Sequence, residues 1–383
     1  MRLYAIRDIC SIKSGKRLPK GDSFAEGETP YPYIRARDIK NGVINGDDLV
    51  YISESTHQKL KRYIVRENDV VITIVGASVG DVALVKKSFD GYNLTENAVR
   101  LTEFKPIANS RYISLILNTP KYWDLMQRIA GGAAQPKLGI YKIESISFEL
   151  PTIDRQNRIV EIISAYDNLI ENNQKQIKLL EEAAQRLYKQ WFIDLKFPGH
   201  ETTKIIDGLP EGWKSGKIGD IAEFKRGKVI TKGDVVEGNV PVVAGGLEPA
   251  YYHNASFTES PVITVSGSGA NAGFARMYFQ KIWASDCSYV DSSATNFIYF
   301  TYSFLKENKK SLDSLQKGAA QPHVYAKDIN ALKLNCPPKD LLVKFEKSVK
   351  PLFDKIGKCQ NVIEKSKDAR NRLLPKLMNN EFI

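Results

Sequence analysis

The chain has 383 residues, too many for one ordinary core, so two or more domains are expected. Apolar residues make up 43% of it, enough to fold, but no apolar run reaches the roughly 18 residues that span a bilayer. The formal net charge of +11 suits a binder of polyanions, and four scattered cysteines (Cys10, Cys287, Cys336, Cys359) argue against a zinc site or disulfide framework. The opening residues lack the apolar segment of a signal peptide, and with the cysteine usage this predicts a cytoplasmic protein.

The positive charge is uneven. Lys plus Arg minus Asp plus Glu gives +5 for residues 1–150, 0 for 151–198, +1 for 199–336 and +5 for 337–383. Local clusters must therefore carry any argument for nucleic-acid binding.

In chain order, the first landmark is Ile6-Arg7-Asp8-Ile9, followed by Lys13, Lys16 and Lys20 around Gly15. It returns 212 residues later as Ile218-Gly219-Asp220-Ile221, with Lys225, Lys228 and Lys232 around Gly227. The β-branched run from Val70 to Val75 returns as Pro261 to Val265, and each ends near a glycine. Gly132-Ala133-Ala134-Gln135-Pro136 returns 186 residues later as Gly318-Ala319-Ala320-Gln321-Pro322. Three anchors in one order define a tandem repeat whose first copy carries insertions totalling 26 residues. Each copy opens with a mixed, β-rich part punctuated by Gly, Asn, Asp and Pro.

Each copy then changes character. After Pro151 or Pro337 comes a candidate Asp cap, Asp154 or Asp340, and a helical stretch free of Gly and Pro for many residues. The first helix is predicted over Gln156 to Trp191, about 54 Å long. Along it Ile159, Ile163, Tyr166, Ile170, Asn173, Ile177, Leu180, Ala184, Leu187 and Trp191 alternate at spacings of four and three, a heptad seam. The equivalent second stripe is Phe345, Val349, Leu352, Ile356, Cys359, Ile363, Ser366, Arg370, Leu373 and Leu377. Pro375 is expected to kink or end that helix. Each stripe could pack on its own domain. A rod of about 54 Å outruns a domain of roughly 150 residues, which favours pairing of the two helices. Asn173 in the stripe either fixes register or is solvated.

The basic residues gather on loops. Lys13, Lys16, Arg17 and Lys20 correspond to Lys225, Lys228, Val229 and Lys232, with Arg226 added, and lysines beside glycine suit phosphate contact. Arg35 and Arg37 alternate, as on one face of a strand, and suit guanine, phosphate or a surface ion pair. The loop Gly267 to Gly273 lacks the Lys-Ser/Thr of a Walker loop, so it reads as a turn between strands or as a loop reaching a base through Asn271. No other catalytic motif emerges. The four histidines lack metal-ligand spacing. Asp207 with Glu223-Phe224-Lys225 resembles a nuclease spacing, but Glu103-Phe104-Lys105 repeats the tripeptide.

Pro151, Arg155-Gln156-Asn157-Arg158-Ile159, Asp167, Ile170, Asn173 and Leu187-Tyr188-Lys189-Gln190-Trp191-Phe192 resemble the central conserved region of type I restriction-modification specificity subunits. Asn371 to Met378 and the closing Glu381-Phe382-Ile383 resemble the distal conserved region, and Tyr33 to Ile39 a stretch of the first target recognition domain. The resemblance implies an α+β chain: recognition domains at 1–150 and 199–336, alternating with helices at 151–198 and 337–383 that pair as an antiparallel coiled coil. It also implies a non-catalytic reader of a bipartite double-stranded DNA target. Two DNA methyltransferase subunits would dock on the helices, and motor-nuclease subunits would join. S-adenosylmethionine, ATP and Mg would belong to the partners. The helices would act as a ruler between half-sites about 10 bp apart. Competing readings are a recognition subunit with a fused methyltransferase-nuclease partner, a nuclease acting alone, and a coiled-coil adaptor that reads no DNA.

Overall fold

A computed structural model describes residues 2–131, 136–318 and 322–378. Gly132 to Gln135 and Ala319 to Gln321 of the repeated pentapeptide, and the closing Glu381-Phe382-Ile383, lie outside the described residues. The chain forms two compact units, residues 1–166 with 370–383 and residues 167–369. This division assigns each end of a long helix to a different unit, where the sequence suggested whole helices between domains.

In the first unit the strands are β1 (Arg2–Ala5), β2 (Ser11–Ser14), β3 (Pro32–Ile34), β4 (Val50–Tyr51), β5 (Val70–Thr73), β6 (Val82–Leu84), β7 (Asn93–Leu94), β8 (Ala98–Thr102) and β9 (Ser147–Leu150). An antiparallel sheet runs in the order β2-β8-β5-β6. A second sheet, β4-β3-β7, pairs β3 antiparallel to β4 and parallel to β7, and β1 pairs with β9. Helices α1 (Ser110–Leu117) and α2 (Pro120–Ile129) follow, and α3 (Ile153–Tyr188) begins here.

The second unit repeats the order of these nine strands and adds a short hairpin, Ile205–Ile206 with Leu209–Pro210. Its strands are β10 (Lys214–Lys217), β11 (Lys225–Arg226), β12 (Glu237–Val243), β13 (Tyr251–His253), β14 (Val262–Ser266), β15 (Ala275–Tyr278), β16 (Trp283–Ala284), β17 (Cys287–Asp291) and β18 (Lys333–Cys336). The sheets run β11-β17-β14-β15 and β13-β12-β16, the latter again with one parallel pair, and β10 pairs with β18. Helices α4 (Ile298–Glu307), α5 (Lys309–Ser314) and α6 (Lys339–Met378) complete it. Much of the first copy's extra length lies between β3 and β5, in the hairpin of Ile39–Lys40 with Val43–Ile44 and the helix Glu54–Leu60.

The β-branched runs become central strands because both their faces are covered. Val70 and Ile72 join one buried cluster while Val71 joins another, with Ile34, Val85 and Leu94. Ile263 and Val265 likewise face the main core of their unit and Val262 a smaller one. Period-two alternation between two apolar layers is what makes the sequence read as a continuous apolar run.

The helical seam is buried along most of its length. In the second unit the Phe345 ring centroid lies 6.1 Å from Tyr188 and 5.8 Å from Trp191, while Cys359 approaches Gln176 Oε1 at 3.7 Å. Those contacts run in opposite order along α3 and α6, so the helices are antiparallel. In the first unit Ile159 and Ile163 share a cluster with Leu377, and Leu373 packs against it. Packing on the unit's own domain also occurs: Phe345, Val349, Phe353 and Ile356 share a core with Met277, Phe300 and Leu305. The two fates weighed from sequence coexist, since a wide apolar face can serve two neighbours.

Four local expectations need correcting. Asp154 and Asp340 lie inside the first turns of helices starting at Ile153 and Lys339, where they complement the dipole without being the caps. Pro375 neither ends nor replaces the last turn of α6, which runs to Met378 and also spans Pro351. Both prolines are exposed, so each forfeits one N–H bond while neighbouring seam residues stay buried. Asn173 is 7% exposed and its Nδ2 donates to Leu169 O of its own helix at 2.8 Å, so it is neither solvated nor bonded across the seam. Beyond Tyr188, where the sequence predicted regular helix to Trp191, the helix widens into a π-turn, Lys189–Ile193, which buries the adjacent Trp191 and Phe192 together.

Candidate nucleic-acid interface

At one end of each four-stranded sheet, the loop following the edge strand folds onto the turn before the next strand. Lys16 N donates to Leu94 O at 2.9 Å and Gly15 N to Ala98 O at 3.0 Å; Lys228 N donates to Ala284 O and Gly227 N to Cys287 O, both at 2.8 Å. A Cβ on Gly15 would lie 2.0 Å from Thr95 O, and one on Gly227 2.3 Å from Ser285 O. Only glycine permits that approach, which explains the repeated Gly-Lys pair in physical terms.

Aromatic groups then hold the lysines. Tyr33 OH donates to Lys16 O at 2.8 Å, and Lys16 Nζ lies 5.9 Å from the Tyr63 ring centre. Trp283 Nε1 donates to Lys228 O at 2.7 Å, and Lys228 Nζ lies 4.8 Å from the Phe257 ring. Tyr33 sits on β3 and Trp283 on β16, which are different positions of the repeat. Each copy thus builds the same cradle from different residues. Burial pushes the Tyr33 hydroxyl up to about 12, so it remains a donor at neutral pH.

The other basic residues fall out less uniformly. Lys13 and Lys225 are on the edge strands β2 and β11, not in the loops, and Lys13 pairs with Glu103. The ladder simply extends further toward the glycine than its polar composition suggests. Arg17 is exposed and its Nε donates to Glu96 Oε1 at 2.8 Å. Burial raises the Glu96 carboxyl, but hydrogen bonds led by Arg17 outweigh it and leave the group below its ordinary value. Lys20, Arg226 and Lys232 are exposed. Arg35 and Arg37 do not share a strand, because β3 ends at Ile34 and a 3-10 turn, Ala36–Asp38, follows. Asp38 drives that turn by accepting from Arg35 N and Arg35 Nε at 2.8 and 3.0 Å, and both arginines reach Asp48. The loop after β14 is a turn leading into β15, and Asn271 Nδ2 donates to Gly245 O at 3.4 Å.

Sequence reasoning missed a clamp from each long helix. Gln156, fully buried, accepts from Asn109 N at 2.9 Å and donates to Ile107 O at 2.9 Å, fixing the start of α1. Glu346 accepts from Phe300 N at 2.7 Å and Tyr299 N at 3.4 Å, at the start of α4. Burial pushes Glu346 up to about 7 against those N–H bonds. The two clamps are not equivalent in sequence, so no repeat signal marks them. Among the described residues no three His, Cys, Asp or Glu side chains cluster as a metal site, and no helix is long and apolar enough to cross a membrane.

The chain thus holds a duplicated β-rich fold with a lysine loop at the same sheet end of each copy and a long helix after each. A sequence profile described as the type I restriction modification DNA specificity domain matches residues 1–182 and 210–354. The chain is 27% identical over 412 residues to the type I restriction enzyme MjaIX specificity subunit of Methanocaldococcus jannaschii, covering 98% of this chain and 92% of that one. It is 20% identical over 439 residues to the HindI specificity subunit of Haemophilus influenzae, covering 91% and 94%. The fold matches the crystal structure of a type I restriction-modification S subunit from M. genitalium with a TM-score of 0.61 at 19% identity, over 98% of this chain and 95% of that chain. The chain belongs to the type I restriction-modification DNA specificity family, whose role is sequence recognition within the restriction-modification complex.

Proposed function

We propose that each β-rich domain reads one half of a bipartite double-stranded DNA target, and that the paired helices carry two DNA methyltransferase subunits, which motor-nuclease subunits then join. In this reading the chain works in the cytoplasm and supplies no catalytic group. S-adenosylmethionine, ATP and Mg are used by the partners. The observation that carries it is the duplicated cradle of Lys16 and Lys228. A lysine whose carbonyl is hydrogen-bonded and whose ammonium rests on a ring loses less freedom on meeting a phosphate. Phosphate contacts of this kind set orientation, and neighbouring groups at the same sheet end then face the base edges.

The test uses the chain assembled with its methyltransferase subunits. Replacing Lys16 and Lys228 together by Gln should weaken DNA binding and reduce the slope of log affinity against log salt by about 2, roughly one per phosphate contact. The preferred sequence should be kept. An unchanged salt slope would show that neither lysine meets phosphate.

A further inference from the structure

We propose that Asp286 is a base-reading residue of the second recognition domain, accepting a hydrogen bond from the exocyclic amino group of cytosine or adenine in the major groove. The proposal rests on the DNA-reading function given above. Asp286 occupies the turn between β16 and β17, whose Ala284 and Ser285 carbonyls receive the Gly227-Lys228 loop. The equivalent turn of the first domain, between β7 and β8, carries Glu96. Both domains therefore hold a carboxylate beside the loop assigned to phosphate. A carboxylate there repels a polyanion unless it engages a donor on the nucleic acid.

The two carboxylates differ in what surrounds them. Glu96 is paired with Arg17, so the first domain offers a guanidinium at this place, a group suited to guanine. The residue matching Arg17 is Val229, 63% exposed, and no cation lies within ion-pair distance of Asp286 among the described residues. Asp286 is held instead by the Ser268 hydroxyl, which donates to Oδ2. The loops beside it are small and fixed: Ser266 Oγ donates to Gly245 O at 3.0 Å and Asn271 Nδ2 reaches the same oxygen. The arrangement leaves a half-buried carboxylate acceptor with no ion-pair partner among the described residues, on a support held by hydrogen bonds. Aspartate accepting from the cytosine amine is the pairing such geometry favours, and the adenine amine presents the same donor. The two domains thus offer opposite hydrogen-bond polarity at equivalent positions.

The experiment is selection of bound duplexes by the assembled complex, comparing the parent with Asp286→Ala, Asp286→Asn and Val229→Arg. The parent should show one position, in one half-site, where an amine-bearing base is preferred about tenfold or more, in the range of one good base contact. Asp286→Ala should reduce that preference to about twofold or less, leave the other half-site unchanged, and leave non-specific affinity equal or higher because a negative charge is gone. Asp286→Asn keeps the side-chain shape and, should the alanine variant fail to assemble, reads the same position by admitting bases without the amine. Val229→Arg should recreate the ion pair of the first domain and lower the amine preference at that position alone. Selection of the same base at every position by Asp286→Ala and Asp286→Asn would overturn the proposal, and so would an even loss across both halves. A parent complex that selects no bipartite site would overturn the function on which the proposal rests.

Discussion

The first and second recognition domains keep one strand order with different chemistry at each joint. At matching seam positions the first has Ile159 and the second Phe345, which meets Tyr188, Trp191, Phe192 and Phe300. The helix clamp is the neutral Gln156 in one and the ionisable Glu346 in the other. The lysine cradle is Tyr33 with Tyr63, or Trp283 with Phe257. The shared features are backbone ones: sheet order, burial on both faces of the central strand, and a glycine pressed on a carbonyl. Such features tolerate no substitute, whereas a ring or a clamp can come from several positions. Topology therefore persists where side-chain partners have exchanged.

The seam sharpens this contrast most. Phe345→Ala should cost about 4 kcal/mol and Ile159→Ala about 3, since both are buried but the aromatic leaves the larger void. Denaturant unfolding of the full chain would measure both. A larger loss for Ile159→Ala would reverse the comparison.

The clamps should differ in pH response. The folded chain holds the Glu346 proton up to about 7, against an ordinary value of 4.5. Stability from this group is therefore fully present below about pH 4.5 and is lost as the pH rises through 7, a change on the order of 3 kcal/mol. Glu346→Gln should flatten that part of the stability profile, while Gln156→Glu should introduce a similar slope in the first unit. Identical profiles for the parent and Glu346→Gln would remove the contrast.

The glycines should behave alike. Gly15→Ala and Gly227→Ala each force a Cβ against a carbonyl oxygen and should cost about 2 kcal/mol. A neutral result in one copy would mean that its loop can shift. The smallest effect belongs to the rings. Phe257→Leu should lower DNA affinity of the assembled complex by a few-fold, and Tyr63→Leu by less, because Lys228 sits nearer its ring and such contacts are worth about 0.5–1 kcal/mol. Equal loss in both would argue that the ring distances do not matter.

Much of this plan was legible in the residues. Heptad spacing exposed the seam because period 3.5 survives changes of side chain, and Gly15 with Gly227 marked the loop because no other residue fits there. The sandwiching of Val70–Thr73 was legible only as apolar character, since alternation between two apolar layers leaves no polar beat. The fate of Arg35 was not legible. Asp38 draws Arg35 into a 3-10 turn and pairs with its guanidinium, and Asp48, eleven residues beyond Arg37, then reaches both arginines through tertiary contact. Glu96 and Asp286 escaped notice for a similar reason, since their equivalence appears only once the strands flanking them are paired.

The most direct measurement is unbiased selection of duplex DNA by the chain assembled with the methyltransferase subunits proposed for it. Two domains of equal topology, each with a lysine cradle, should yield two blocks of specified bases if each reads one half-site as proposed. With half-site centres about one helical turn apart, an unspecified spacer of roughly 5–8 bp should separate them. A single continuous block, or no sequence preference at any salt concentration, would contradict the account.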